Sequence, residues 1–208
     1  MNLPNCTICI IYDNEAIRES LRLLLFADGL SSCCYESADA FLEDGSCGKF
    51  DCMLLDIRMP GTDGLELFQI LNRQPLSYPV IFITGHGDIP LAVSAIKQGA
   101  YDFLTKPFKE GELLSKIHAA MEHHRSTKEQ VQELHDIQAR VELCTPREHD
   151  VMRLLVRGLP NKGIAETLGI SPRTVEIHRA HVMEKMQADS LPDLVRMIAS
   201  IEANEVDQ

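Results

Sequence analysis

The stretch Cys52-Met53-Leu54-Leu55-Asp56-Ile57-Arg58-Met59-Pro60-Gly61 decides how the N-terminal part of the chain folds. Four apolar residues in a row, without polar alternation, read as a strand buried on both faces, the habit of a parallel sheet. The run stops at a carboxylate, Asp56, and Pro60-Gly61 marks a turn. Leu65, Leu67, Phe68 and Leu71 then recur at helical spacing.

Strand-then-helix units repeat on both sides of this segment. Upstream, residues 7–12 are a strand candidate, and Ile17, Leu21, Leu24 and Leu25 follow as a helical stripe. A weaker strand at 33–35 precedes a short helix bearing Ala38, Phe41 and Leu42. Downstream, residues 80–83 form a buried strand, followed by Gly85-His86-Gly87 and a helix through Leu91, Val93 and Ile96. Residues 101–104 read as a fifth strand, with helix from Lys109 onward. Five strands alternating with five helices predict an α/β domain, a (βα)5 doubly wound parallel sheet covered on both faces. Ligands of such sheets bind beyond the carboxyl ends of the strands, which directs attention to Asp13, Asp56, Thr84 and Lys106.

The helical pattern continues over residues 113–141, through Leu113, Ile117 and Met121, a polar stretch, and then Val131, Leu134 and Val141. It fits an extended fifth helix serving as a linker; fewer than three clean heptads speak against a strong coiled coil. A new start signal is Thr145-Pro146-Arg147-Glu148, a capping box with proline at the first helical position. Ser171-Pro172 opens another helix directly after Leu168-Gly169-Ile170, which gives the helix-turn-helix order. The expected organisation is an α/β domain over residues 1–124, a helical linker over 125–143 and an all-α, four-helix helix-turn-helix domain over 144–208.

A chain of 208 residues, 45% hydrophobic and 25% charged, has room for two soluble cores. No apolar run approaches the roughly 20 residues that span a bilayer, and Met1-Asn2-Leu3-Pro4-Asn5 lacks the basic start of a secretory signal. A cytoplasmic protein with no membrane partner is expected. The seven cysteines lack framework spacing. Cys6-Thr7-Ile8-Cys9 has the form of a metal or redox motif, but in a strand its two thiols point to opposite faces, so reduced, packed cysteines are expected. The net charge of −11 is uneven: residues 1–143 carry −9, residues 144–200 carry +1, and Glu202, Glu205 and Asp207 follow. A near-neutral domain binds DNA when its basic groups face one way.

The four strand-end residues suit phosphoryl chemistry. Asp13 and Asp56 are oxygen donors for a hard cation such as Mg²⁺, and Asp56 can act as nucleophile, taking a phosphoryl group as an acyl phosphate. Lys106 balances charge on phosphoryl oxygens and Thr84 offers one of them a hydroxyl. Asp13, Asp56-Ile57-Arg58-Met59-Pro60-Gly61, Ile83-Thr84-Gly85-His86-Gly87-Asp88 and Lys106-Pro107-Phe108 together resemble the flavodoxin-like receiver domain of two-component response regulators, the last two motifs its FixJ-type branch. The likeness spans roughly residues 5–124. It implies phosphotransfer to Asp56 from a sensor histidine kinase, in a phosphorelay that uses Mg²⁺ (or Mn²⁺) held by Asp13, Asp56 and the backbone carbonyl of Arg58. It also implies that Thr84 and Phe103 form a switch pair, which remodels the face of the fourth helix and fifth strand and promotes a homodimer.

One position departs from that pattern. Receivers usually carry adjacent acidic residues after the first strand, and here the first is Tyr12; Asn14 stands where this branch often has another Asp. The loss of one carboxylate is expected to weaken cation binding while leaving the site working. The alternative is a pseudo-receiver that regulates without phosphorylation. His86 is expected near the phosphoryl site, where it tunes dephosphorylation; the cluster His118, His123 and His124 could suggest a metal, but His123-His124, on a polar helix, is expected to be solvated.

In the helix that begins at Pro172, Val175, Val182 and Met186 fall on one side with Arg179 at its edge. Arg173, Ile177, Ala180 and Glu184 fall on the other, flanked by Glu176 and His181. That second face suits a major groove: Ile177 or Ala180 against a thymine methyl, Glu176 accepting from cytosine N4. Lys162, Arg173 and Thr174, near helix starts, suit phosphates. Periodicity alone fits a four-helix interaction module equally well. Thr145-Pro146-Arg147-Glu148, Gly158-Leu159-Pro160-Asn161-Lys162, Ile164-Ala165, Leu168-Gly169-Ile170-Ser171 and Arg173-Thr174-Val175-Glu176-Ile177-His178 resemble a LuxR-type DNA-binding domain over about residues 143–200. The resemblance implies a supporting helix at Asn161–Leu168, a recognition helix at Pro172–Met186, double-stranded DNA with a two-fold operator, and RNA polymerase as a further partner, with activation the expected sign. An enzymatic reading fares worse. Aspartyl phosphatases of the haloacid-dehalogenase type need a second Asp two residues on, where Arg58 stands, and no G-x-S-x-G elbow follows residue 125. Self-phosphotransfer and self-dephosphorylation are the only chemistry expected.

Overall fold

The computed structural model describes residues 6–44, 50–73, 78–85 and 88–206. The chain divides into two compact units, Met1–Ser126 and Thr127–Gln208. In the first, β1 (Thr7–Ile11), α1 (Glu15–Ala27), β2 (Ser31–Tyr35), α2 (Ala38–Asp44), β3 (Cys52–Asp56), α3 (Gly64–Leu71), β4 (Val80–Thr84), α4 (Ile89–Lys97) and β5 (Asp102–Thr105) alternate and lead into α5 (Glu110–Glu142). The strands form one sheet in the order β2-β1-β3-β4-β5, every pair parallel. This is the doubly wound (βα)5 arrangement expected.

The pleat explains both faces. Cys9, Ile11, Met53, Leu55 and Phe82 pack with Ala38 and Phe41 of α2, Leu67 and Phe68 of α3 and Ala92 and Ala95 of α4. The alternate residues Ile8, Ile10, Leu54, Ile81 and Ile83 pack with Leu21 and Leu25 of α1 and Leu113 and Ile117 of α5. Each such side chain, fully buried, contributes about 1.5–3 kcal/mol, which is why β3 and β4 carry no exposed residue. The register pairs Asp56 with Ile83 and Thr84 with Thr105, so the chemical residues reach one edge of the sheet together.

Several details differ from the sequence reading. On α4, Leu91 and Val93 are 37% and 42% exposed while Ala92 and Ala95 are buried; of the expected stripe only Ile96 packs on the core. The small residues allow the helix to lie close to the sheet. The fifth strand begins at Asp102 rather than Tyr101. Of the α5 histidines, His123 is exposed, as expected, with its ring 5.6 Å from that of Tyr101, whereas His124 is half-buried with its Nε2 atom buried; His118 Nε2 lies 2.6 Å from Asp28 Oδ2. His86 lies outside the described residues. Cys9 joins one core cluster and Cys6 packs against the other, as strand geometry requires. Among the described residues no disulfide joins the cysteines.

The second unit holds the last part of α5 with α6 (Pro146–Val156), α7 (Asn161–Leu168), α8 (Pro172–Met186) and α9 (Leu191–Val206). The Thr145 hydroxyl accepts from the Glu148 amide at 3.3 Å and the Glu148 carboxylate from the Thr145 amide at 2.8 Å, closing the capping box. Gly169, at φ 67°, ends α7 in the left-handed conformation that favours glycine, and the Ser171 hydroxyl caps α8 by accepting from the Thr174 amide. Val151, Leu155, Ile164, Ala165 and Val175 form one core cluster. Ile137, Cys144, Met152, Val182, Met186 and Leu194 form the other. The helix α8 thus buries the face that the periodicity selects. Among the described residues, no helix is long and apolar enough to cross a membrane.

Candidate phosphoacceptor site and nucleic-acid interface

Asp56 is the last residue of β3 and only 3% exposed. Its carboxylate oxygens both accept from Lys106 Nζ, each at 3.1 Å, and the Arg58 amide donates to the same carboxylate. Burial raises the Asp56 pKa; Lys106 opposes the shift and the negative Asp13 adds to it. Lys106, just past β5, is itself raised, because hydrogen bonds to Tyr12 and Asp56 outweigh its partial burial. Thr84 ends β4 fully buried, its hydroxyl donating to the Gly85 carbonyl at 3.2 Å. Phe103 lies within β5, half-buried against the α2–α4 side of the sheet.

Asp13, immediately after β1, is exposed. Arg18 fixes this turn by donating to the Tyr12 and Asp13 carbonyls at 2.6 and 2.8 Å. Asn14 serves locally as the cap of α1, its side chain accepting from the Ile17 amide. Two carboxylates, the charge of Asp13 acting on Asp56, and the Arg58 carbonyl in the loop after Asp56 are an all-oxygen donor set. Such a set fits a hard divalent cation and suits a soft one poorly. Tyr12 is 2% exposed, and Lys106 Nζ stands 4.4 Å from its ring centroid, in cation–π range. Burial pushes the phenol above its usual pKa, so at neutral pH Tyr12 brings no charge to the site.

Three contacts around the site were not legible in the sequence. Gly64, the first residue of α3, is buried, and its amide donates to the Ile57 carbonyl at 3.0 Å. A Cβ there would sit 2.0 Å from the Asp56 carbonyl oxygen, so only glycine lets the helix start this close behind the acidic residue. The Asp63-Gly64 pair was its only sequence signal. Asp88 receives the Arg58 guanidinium at 2.6 and 2.9 Å, tying the loop after β3 to the loop after β4. Asp39 holds Thr62 through its hydroxyl at 2.6 Å, steadying the Pro60-Gly61 turn.

On α8, Arg173, Glu176, Ile177, Ala180 and His181 are exposed, as is Lys162 near the start of α7. Ile177 keeps 49% of its surface exposed, an apolar side chain on the outward face of α8. Thr174 is half-buried and its hydroxyl is engaged with Ser171 at 2.8 Å, so it serves the helix start. Arg179 Nη1 donates to Asn161 Oδ1 at 3.3 Å, linking α8 to α7. His181 lies at the edge of the exposed face, Nδ1 3.3 Å from the Glu148 carboxylate. Glu148 is 3% exposed and bonded to Lys185 at 2.6 Å; Lys185 and the Thr145 amide hold its pKa at about 2.

The first unit matches the response regulator receiver domain over residues 8–118, and the second the luxR family of bacterial regulatory proteins over residues 142–198. The chain belongs to the response regulators that join a receiver domain to a LuxR-type DNA-binding domain. Within that class its relatives include proteins named FixJ. It is 44% identical to the transcriptional regulatory protein FixJ of Rhizobium meliloti over 195 residues, covering 94% of this chain and 96% of that one. It is 41% identical to nodulation protein W of Bradyrhizobium diazoefficiens, covering 97% and 89%. Among solved structures, full-length FixJ from B. japonicum aligns over 95% of this chain and 98% of that one, with 43% identity and a TM-score of 0.62. Response regulator StyR aligns over 94% and 98%, with 37% identity and a TM-score of 0.81.

Proposed function

We propose that this response regulator is switched by phosphorylation of Asp56 and that the switch controls DNA binding through α8. The observation that carries the reading is the pairing of a buried carboxylate with Lys106 through both oxygens, at the sheet edge where Thr84 also ends. A sensor kinase presents a phosphohistidine. An Asp56 oxygen attacks phosphorus, the P–N bond breaks, and the imidazole leaves with the bonding pair. Lys106 then shifts from the carboxylate to a phosphoryl oxygen, and the Thr84 hydroxyl turns from the Gly85 carbonyl towards another. Phe103, half-buried beside this edge, follows into the space Thr84 leaves, and the α4–β5 face changes. Dimerisation on a two-fold operator and activation through RNA polymerase are the proposed consequences.

Asp13, Asp56 and the Arg58 carbonyl are the residues that would hold Mg²⁺ or Mn²⁺, which when bound neutralises charge on the transferring group. With Tyr12 neutral, the site has one carboxylate fewer than its relatives usually bring, so cation affinity is reduced and transfer retained. The buried Tyr12 also supports a second reading, a pseudo-receiver acting without phosphorylation. A Tyr12→Asp variant separates them. Under the first reading it binds Mg²⁺ more tightly and wild type is phosphorylated at high Mg²⁺; under the second neither protein is labelled.

On the DNA side we propose that Ile177 and Ala180 meet base edges, that Glu176 accepts from cytosine, and that Lys162 and Arg173 contact phosphates, with Thr174 and His181 at the margin. Gel shifts of the full chain with and without acetyl phosphate test the coupling. Equal affinity in both arms would remove the switch.

A further inference from the structure

We propose that Glu148, His178 and His181 form a binding site for a transition-metal ion, Zn²⁺ in particular, between α6 and α8. A ring nitrogen of each histidine and a carboxylate oxygen of Glu148 all lie within 4.8 Å of one another. His181 Nδ1 and Glu148 Oε1 are 3.3 Å apart, close to the separation of two ligands each about 2.0–2.1 Å from a tetrahedral ion. His178 Nδ1 is buried and has no hydrogen-bond partner, an unusual state for a polar atom that a ligand would relieve. Two imidazoles and one carboxylate suit Zn²⁺ with water as fourth ligand, and suit Mg²⁺ poorly.

Glu148 divides its two oxygens between different tasks. Oε2 accepts from Lys185 at 2.6 Å and from the Thr145 amide at 2.8 Å, while Oε1 faces His181. An ion can therefore take Oε1 without dismantling the capping box. Lys185 also donates to the Leu143 carbonyl at 3.0 Å, which holds its ammonium in place beside the carboxylate. That positive charge repels a cation and limits the affinity. A bound ion would join the exposed side of α8 to α6 and withdraw His181 from DNA. The inference concerns this site alone and stands whether or not Asp56 is phosphorylated.

The test is a titration of the full chain with Zn²⁺ against a chromophoric indicator in excess Mg²⁺, which fills oxygen-only sites, and a parallel titration with Co²⁺ read by its visible absorption. Wild type is expected to bind one equivalent that His181→Asn binds at least tenfold more weakly. His181 is exposed, so the metal-free melting curve of the variant is expected to match wild type. Lys185→Met is expected to bind more tightly than wild type. Equal Zn²⁺ stoichiometry and affinity in wild type and His181→Asn, or a Co²⁺ spectrum unaltered by that substitution, would overturn the site.

Discussion

Replacing Gly64 with alanine probes how closely α3 must approach the strand that ends at Asp56. The added Cβ would lie 2.0 Å from the Asp56 carbonyl oxygen, 3.0 Å from its carbonyl carbon and 3.2 Å from Ile57 Cα. All three are backbone atoms, so no side chain can swing aside, and α3 must retreat by more than about 1 Å to restore ordinary contact. Overpacking of this kind costs about 1–3 kcal/mol. The retreat also strains the Gly64 amide bond to the Ile57 carbonyl, worth about 0.5–1.5 kcal/mol. Alanine's helical advantage returns at most about 1 kcal/mol. A net loss of roughly 2–3 kcal/mol is expected, with slower phosphorylation because the Asp56 backbone moves. Urea denaturation of the full chain, followed through the amide signals of Leu54 and Leu55, measures the first; labelling from acetyl phosphate measures the second. A loss below about 0.5 kcal/mol with unchanged labelling would refute the close-approach argument.

Further expectations concern the charged groups and the DNA-facing helix. Glu148 has its pKa lowered from 4.5 to about 2 on folding, so it stabilises the C-terminal helices above pH 4.5 and loses that contribution as pH falls towards 2. Between pH 7 and pH 3 this amounts to roughly 2 kcal/mol, and denaturation at the two pH values should show Glu148→Gln losing less stability over that range than wild type. Asp56 is raised by burial, so ionising it costs stability as pH rises through its folded pKa; Lys106→Met should raise that pKa further, as carboxyl ¹³C shifts would report, and an unchanged titration would contradict the pairing. Ile177→Asp should abolish DNA binding while changing stability by less than about 0.5 kcal/mol, since the side chain is exposed. Lys162→Ala should weaken binding across sequences and reduce the salt slope by about one; a loss confined to one operator position would reassign it to base contact.

Much of the fold was legible because its signals are local. The apolar runs ending at Asp56 and Thr84, and the caps at Thr145 and Ser171, are set by burial and by unpaired helix-end amides, which leave plain marks in sequence. On α4 the same reasoning misled: Leu91 and Val93 outweigh Ala92 and Ala95 in hydrophobicity, yet close approach to the sheet favours the smaller pair. The candidate phosphoacceptor set was legible because Asp56 and Thr84 end strands and Asp13 and Lys106 closely follow strands. Gly64, the Arg58–Asp88 ion pair and the Glu148–Lys185 network were not, since each depends on which loops or helices meet. Tyr12 was visible as a departure; its position beneath Lys106 required the structure.

The central claim is that Asp56 accepts a phosphoryl group and that this changes DNA binding. Intact mass of the full chain after acetyl phosphate and Mg²⁺, compared with Asp56→Asn, followed by a gel shift on the same samples, tests it most directly. A single phosphoryl adduct present in wild type and absent in Asp56→Asn, with tighter DNA binding in the labelled sample alone, is the predicted result. No adduct at any Mg²⁺ concentration, or an adduct that Asp56→Asn retains, would contradict the account.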